Sequence, residues 1–410
     1  MKINKYFPFA SVYFFINSLA LPFGLTFTAI LSPLFYCWVI VSSKREILLP
    51  WVVCLTPFII MHIVRGVDSR SYIMSLINYT AVYIFCQAFY TFLKSCKDPE
   101  KIFRKLLIIN FVLCLAAIPV YFTDYGKLLW MQSSLVNGIA NFDRLKLFTY
   151  EASYYAALFT PLFFFFLLQL ILKQNKINGW MLISMLLLPY LLSFSIGVMG
   201  AVLFAISVTW LVYCKRLTAK KRVQTLLVLT GCACAIACVA LWLFYPQNTI
   251  FLRIKDIIAG NDTSGKGRTS EAFLLAQQIL ELKSPAWGVG PGQIKILGGD
   301  IIRSYYLYPL DYNTIAIPNA AAETMAIFGW IGLLLRITAE FFFFFYTKVW
   351  RNYFRLLLFL FIFLYQFTGS FITNIAEYII WILAFTNAFP QFDTSRTSMQ
   401  PFVENQNLIR

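Results

Sequence analysis

The residue types best suited to chemistry gather in one stretch, GRTSEAFLLAQQILELKSPAWGVGPGQ, from Gly267 to Gln293. Its apolar spacing predicts an amphipathic helix. Phe273, Ala276, Leu280 and Lys283 follow i, i+3, i+7 and i+10, and Ala272, Leu275 and Ile279 widen the same side. Glu271, Gln278 and Glu281 form the opposite face. Thr269-Ser270-Glu271 suits a helix start, and Ser284-Pro285 a stop. Arg268 stands at that start, where backbone N–H groups and the helix dipole favour an anion such as phosphate. Arg253, Lys255, Lys266 and Arg303 add positive charge nearby. Two readings follow. One is a specific phosphate site. The other is a basic loop adhering to anionic headgroups, with the helix lying apolar side down on the membrane.

Two glycine patterns in this stretch do not make nucleotide sites. Gly260, Gly265 and Lys266 fit GxxxxGK, but Gly267 stands where the magnesium-binding Ser or Thr belongs, and no strand precedes it. Gly288 to Gly292, GVGPG, lets the backbone turn sharply after the helix.

The elements that must position these residues are mostly apolar. Of 410 residues, 60% are hydrophobic and 13% charged, with mean hydropathy +0.71. A soluble domain carries roughly 25% charged residues. Runs of about 20 apolar residues read as membrane-spanning helices. The fold class is therefore an all-α polytopic membrane protein. Twelve spans are predicted, near 8–21, 23–43, 47–64, 72–93, 106–122, 151–172, 179–195, 197–214, 223–245, 320–345, 356–373 and 376–391. This divides the chain into 1–245 (nine spans), 246–319 (one large outer, periplasmic loop holding the amphipathic helix) and 320–410 (three spans and a cytoplasmic tail).

The net charge of +16 comes chiefly from Lys and Arg flanking apolar runs, as the positive-inside rule expects, and does not indicate nucleic acid. With the N-terminus inside, the inner segments hold 21 basic residues and the outer ones 12, seven of them in the long loop. Both termini are then cytoplasmic, and the chain is a multi-pass protein of the bacterial plasma (inner) membrane. The nine cysteines lack metal-ligand spacing and read as reduced packing residues. A single histidine, His62, reads as an interfacial packing residue. No metal or other cofactor is expected.

Several motifs taken in order resemble the O-antigen polymerase and O-antigen ligase superfamily. RIKDIIAGNDTSGKGR is followed by the helix, then SPAWGVGPGQ, then PNAAAETMAIFGWIGL, whose Asn319-x-x-x-Glu323 stands where a span begins. TYEASYYAALF (Thr149 to Phe159) and LSFSIGVMGAVLF resemble two further pieces, so that the likeness covers roughly residues 140–335. Ligases of this superfamily carry a His just before the equivalent of Asn319. This chain has Pro318 there, which favours a polymerase.

The resemblance implies a metal-independent glycosyltransferase on the outer leaflet that acts in polysaccharide (lipopolysaccharide) biosynthesis. It would move a growing glycan from undecaprenyl diphosphate to the terminal sugar of a new lipid-linked repeat unit. Arg268 and Arg303, then Arg253 and Arg144, would meet the diphosphate, because a bidentate Arg keeps its charge. Glu151 or Glu323 would position or deprotonate the acceptor hydroxyl, and Asn319 would contact substrate. Both acids are equally readable as interfacial residues that complement a helix dipole. Tyr154, Tyr155, Trp287, Tyr305 and Tyr306 are candidates for stacking on sugars, or members of an aromatic belt. Arg336 and Glu340 read as a helix-face ion pair, and Glu377 has no assigned role. Partners would be undecaprenyl-diphosphate-linked oligosaccharides, the bilayer, a chain-length regulator and a flippase. A ligase, or a flippase of lipid-linked oligosaccharides, are the rival readings. Scarce mid-span charge disfavours transport.

The charge asymmetry makes a direct prediction. Topology reporters fused at Lys220 and Asn261 should report opposite sides, with Lys220 cytoplasmic. The same side for both would overturn the map.

Overall fold

A computed structural model of the chain describes residues 5–16, 27–131, 143–172, 177–217, 263–306 and 315–395. These are mostly helical. The one sheet among them is a two-stranded ribbon, β1 (Trp130–Met131) and β2 (Arg144–Leu145). Among the described residues, five helices are long and apolar enough to cross a membrane: α4 (Ser69–Ser95), α5 (Pro99–Tyr121), α6 (Ala152–Ile171), α8 (Ile196–Leu217) and α12 (Ala320–Tyr346). Shorter apolar helices are α1 (Phe7–Ser11, continuing as a π-type turn to Ile16), α2 (Ser32–Ser43), α3 (Leu48–Val64), α7 (Gly179–Ser193), α13 (Tyr353–Tyr365) and α14 (Ile375–Phe385). The span expected over 223–245 lies outside the described residues, as do Arg253 and Lys255.

The caps explain where most helices begin. Asp68 accepts from Ser71 N at 2.8 Å, Asn319 from Ala322 N at 2.8 Å, Asn352 from Arg355 N at 3.2 Å and Asn374 from Ala376 N at 3.0 Å. Each takes up a donor that the helix itself leaves unpaired. α6 is buried along nearly its whole circumference and forms the central post, packed by α7, α13 and α14. The span expected at 356–373 ends early, at Tyr365. Residues 366–374 form a turn rather than helix, because Gly369, Ser370 and Asn374 interrupt it.

Element ends sort onto two faces. On one lie the Arg65–Asp68 turn, the start of α6, residues 263–306 and 315–319, and the 366–374 turn, tied by Arg65 Nη1 to Lys283 O (3.0 Å), Asn319 Nδ2 to Phe367 O (2.7 Å) and Ile372 N to Glu323 Oε2 (2.7 Å). On the other, Tyr213 of α8 donates to Trp350 O, and Asn352 Nδ2 donates to Asp393 Oδ1 at 2.7 Å.

The amphipathic helix runs Ser270–Glu281 (α10) and buries Ala272, Leu275, Ala276, Ile279 and Leu280. That face does not lie on a membrane surface. It packs on α12 and on the short helix α11 (Gly299–Tyr306), so protein covers the apolar side. Nor does α10 start from an open loop, since the short helix α9 (Thr263–Arg268) runs straight into it.

The glycine-rich turn has a specific task. α12 is broken at Gly329 (φ 71°, ψ −171°), about 14 Å along its axis at 1.5 Å per residue. Two consecutive helical bonds are opened there, and the 285–290 segment fills them. Ala326 O accepts from Val289 N (2.9 Å) and Ile327 O from Gly290 N (3.0 Å), while Trp330 N donates to Pro285 O (3.0 Å) and Ile331 N to Ala286 O (3.2 Å). Gly288 and Gly329 face each other's strand so closely that a side chain on either would overlap backbone.

The α3–α4 turn clamps the same segment. His62 is buried and packs against it. Its Nε2 lies 2.7 Å from Trp287 O, which can only accept, so Nε2 carries the proton and Nδ1 accepts from Tyr72 OH at 3.0 Å. Gln293 reads both backbone groups of Asp68, at 3.0 and 3.2 Å. The Lys283 ammonium donates to Gly66 O, and its partial burial lowers its pKa.

Below the break, Arg336 joins more than its helix neighbour. Its Nε lies 3.2 Å from Glu340 Oε1 and 2.8 Å from Gln366 Oε1, its Nη1 lies 3.0 Å from Thr324 Oγ1, and its Nη2 meets Glu377. Glu377 thereby gains a role, linking α14 to α12.

Gly329→Ala should disrupt this interlock. It forces an L residue into the left-handed region, at about 1–2 kcal/mol, and overpacks the backbone, at about 1–3 kcal/mol. Gly197→Ala, in α8 with open space around it, should be neutral or stabilising. Unfolding midpoints of the two purified variants in detergent provide the check, and equal midpoints would contradict the interlock.

Candidate functional site

A polar cleft lies where α6, α10, α12 and α14 begin. Tyr150, Glu151, Ser153 and Tyr154 line it from the start of α6, Arg268 from the junction of α9 and α10, and Pro318 from the approach to α12. Tyr365, Gly369, Phe371 and Asn374 close it from the end of α13 and the following turn. It is narrow, about 300 Å³ counted to its open mouth.

Four helices begin around this space, each N-terminus carrying roughly half a positive charge, and α9 and α13 end at it, each C-terminus carrying roughly half a negative one. Asn319 and Asn374 cap two of the N-termini with side chains, whereas Glu151 and Thr269 make no side-chain cap bond. The Arg268 guanidinium adds a full positive charge and lies against Gly369, where a methyl would stand 3.7 Å from Nη1.

One acid answers these positive groups. Glu151 Oε1 lies 3.4 Å from Arg268 Nη1 and 3.5 Å from Nη2, and also accepts from Ser153 Oγ. Both guanidinium distances exceed the roughly 2.7–2.9 Å of a tight charge-assisted bond. The Arg268 side chain keeps 35% of its surface exposed, so an incoming anion can reach it. The arrangement can thus hold an anion on Arg268 and, beside it, a hydroxyl on the Glu151 carboxylate.

Asn319 belongs to the scaffold under this cleft rather than to its lining. It is fully buried. Its Nδ2 donates to Arg268 O at 2.9 Å and to Phe367 O at 2.7 Å, and its Oδ1 caps α12. One amide thus fixes Arg268, the 366–374 turn and α12 relative to one another, and both of its N–H donors are taken in doing so. Glu323 also stands behind the cleft, where its carboxylate holds Ile372 N.

The other expected contacts lie elsewhere. Arg303 is on α11, 3.5 Å from the exposed Asp300, and Arg144 is in β2, with Nη2 3.6 Å from Met131 Sδ. Tyr155 is buried and bonded to Asn110 Oδ1 at 2.9 Å, and Trp287 packs edge-on against Phe58. The buried Tyr155 ring has no open face for a sugar, whereas Trp287 is half-buried. Tyr154 does line the cleft, Tyr305 stands on α11 outside its lining, and the Tyr306 side chain lies outside the described residues. Tyr365, Gly369, Phe371 and Asn374 were not singled out from the sequence. The run TGSFITN, from Thr368 to Asn374, carries the turn formers that mark the interruption.

No protein-family model matches this chain, and no curated protein matches it in sequence. The functional reading therefore rests on the motifs and on this geometry.

Asn319→Ala removes a cap, worth about 0.5–2 kcal/mol, and strands two buried carbonyls, at about 1–3 kcal/mol each. Asn319→Asp keeps the cap acceptor but loses both donors, so it should be nearly as damaging. Thermal unfolding of both variants tests this, and a wild-type midpoint for the Asp variant would show that the two Nδ2 bonds carry no weight.

Proposed function

We propose that this chain is a polymerase of surface-polysaccharide repeat units, O-antigen or related. It transfers a growing glycan from undecaprenyl diphosphate to the terminal sugar of a new lipid-linked unit on the outer leaflet of a bacterial plasma membrane. The observation that carries the proposal is the pairing of Arg268 with Glu151 in one part-open cleft beside the starts of four helices. Group transfer from a lipid diphosphate generates an anion at the leaving oxygen and a proton at the attacking one. A site for it needs fixed positive charge and a carboxylate a few ångströms apart.

In the reaction the acceptor hydroxyl enters beside Glu151 and the donor diphosphate beside Arg268. The bond between the anomeric carbon and the diphosphate oxygen breaks, and its electron pair leaves with the diphosphate. The acceptor oxygen bonds the anomeric carbon and yields its proton to Glu151. Arg268 stabilises the developing charge. The face carrying the cleft is then periplasmic, which agrees with the basic residues Lys44, Arg45, Lys94, Lys97, Lys101, Arg104 and Lys105 at the opposite helix ends.

A deletion strain should show surface polysaccharide of a single repeat unit and no ladder. Arg268→Ala should likewise abolish long chains at normal protein level, since losing such a contact costs about 100-fold or more in rate. Arg268→Lys keeps the charge but not the fork and should rescue only partly. Glu281→Gln, on the exposed face of α10, should have little effect. Full-length ladders from Arg268→Ala would reject this site, and loss of the first unit as well would favour a ligase or a flippase.

A further inference from the structure

One hydroxyl in the cleft has no task in that reaction. Tyr365 is the last residue of α13 and lines the cleft. It keeps only 3% of its surface, with the Phe361 ring stacked on it from one turn earlier. Its hydroxyl makes no hydrogen bond with the described residues and is not sealed from the cleft. A buried O–H without a partner is costly and calls for a reason. Other buried tyrosines spend theirs inside the fold: Tyr72 on His62 Nδ1 (3.0 Å), Tyr155 on Asn110 Oδ1 (2.9 Å) and Tyr190 with Thr160 Oγ1 (2.9 Å). Tyr13 also lacks a partner, but it is sealed among apolar side chains where no polar ligand reaches. The space beside Tyr365 is equally specific. A methyl on Gly369 would stand 3.7 Å from Tyr365 Cε2 and 3.7 Å from Arg268 Nη1, and would meet nothing else among the described residues within 4 Å beyond its chain neighbours. One spot over Gly369 thus lies in contact range of both the guanidinium and the phenol ring. The charges of Arg268 and Glu151 both reach the Tyr365 hydroxyl. The ring is set in advance, because Gln366 is held by Arg336 and Glu340, and Phe367 O by Asn319.

We propose that the Tyr365 hydroxyl is a second donor to the leaving diphosphate, and that the spot over Gly369 seats the oxygen it shares with Arg268, an inference that rests on the function proposed above. As the bond from the anomeric carbon breaks, its electron pair stays on the leaving oxygen, which gains negative charge. A guanidinium and a phenol donating to that oxygen stabilise it, and the stabilisation grows as the charge does. Tyr365 keeps its proton throughout, and the proton lost by the acceptor still goes to Glu151. A neutral donor suits this place, since a second cation would pair with Glu151 and close the empty cleft. The absent side chain at Gly369 leaves the oxygen its room.

The test uses the full chain, purified in nanodiscs, with unpolymerised lipid-linked repeat units extracted from the deletion strain as donor and acceptor. Transfer rate and thermal midpoint are measured on the same samples. Tyr365→Phe removes one oxygen atom and nothing else. Its midpoint should be unchanged or raised, because an unpaired buried hydroxyl is lost, while kcat falls about 100-fold with KM little changed. Gly369→Ala fills the seat from the other side. The Gly369 backbone lies outside the left-handed region and the methyl clashes with nothing, so the midpoint should hold while transfer falls at least tenfold. Tyr190→Phe, which breaks a bond made inside the fold, should show the reverse, a lowered midpoint with wild-type kcat. Wild-type kcat in Tyr365→Phe or in Gly369→Ala would overturn this inference, and the function would stand if Arg268→Ala is inactive in the same assay. A lowered midpoint for Tyr365→Phe would also overturn it, by showing that the hydroxyl is spent in the fold. No transfer by the wild-type chain, or wild-type rates from Arg268→Ala, would overturn the function with it.

Discussion

The opened helical bonds at Gly329 are the constraint on which the rest of this architecture depends. Breaking α12 leaves two carbonyls and two amides without helical partners, in a place where water is scarce. Non-helical backbone at such depth is tolerated only when protein satisfies it. The 285–290 segment does so with four hydrogen bonds, and in doing so is drawn into the bundle. Everything attached to that segment is then fixed. α10 is pulled against α12 at one end of it, and Arg268 at the head of α10 is brought over Gly369. His62, Arg65 and Gln293 tie the other side to the α3–α4 turn. The 268–293 segment thus becomes a rigid support for one guanidinium.

The electrostatics of the cleft follow from that placement. The helix N-termini around the cleft are offset in part by the C-termini of α9 and α13, and the full charge of Arg268 is met by an acid. Glu151 is that acid. Its contact with Arg268 is long and partly exposed, and an ion pair of this kind is worth little in itself. A weak internal pair suits a site that must open. An anion bearing more charge and more acceptor oxygens than one carboxylate competes for Arg268 and leaves Glu151 to face a hydroxyl.

Much of this could be read from the sequence, because periodicity and caps are local. The bounds of α10, the helical membrane class, and Glu151 and Arg268 as charges at helix starts all came from short-range pattern. What could not be read was what covers a face or interrupts a span. The spacing of Ala272, Leu275 and Ile279 shows that one side of α10 is apolar, but a membrane and a neighbouring helix present the same requirement. Gly329 sits in an apolar run where a glycine usually passes unnoticed, and only the partner strand at Gly288 gives it meaning. Residues 366–374 contain Phe367, Phe371 and Ile372, and so read as membrane span even though Gly369, Ser370 and Asn374 break the helix. Asn319 was noticed for its motif, yet its two long-range bonds to Arg268 and Phe367 depend on segments more than 45 residues away in sequence.

Two arginines show how far environment, rather than residue type, decides a role. Arg336 is surrounded. Glu340, Gln366, Thr324 and Glu377 take its donors, its side chain keeps 12% of its surface, and Gln366 in turn holds Glu340 Oε2 at 2.7 Å. Removing one member of such a buried set strands charge and costs about 3–5 kcal/mol, so Arg336 is committed to holding α12, α14 and the end of α13 together. Arg268 has its backbone fixed by Asn319 but its guanidinium placed at the mouth of a cleft, beside an acid at more than hydrogen-bonding optimum. A rigid main chain with a part-exposed charge is what anion recognition requires, since the cost of ordering the arginine is already met by the fold. The buried cluster below makes that possible. By locking the lower half of α12 to α14 and to the end of α13, it holds the far side of the Gly329 break still, and the inserted loop has a fixed edge to bind.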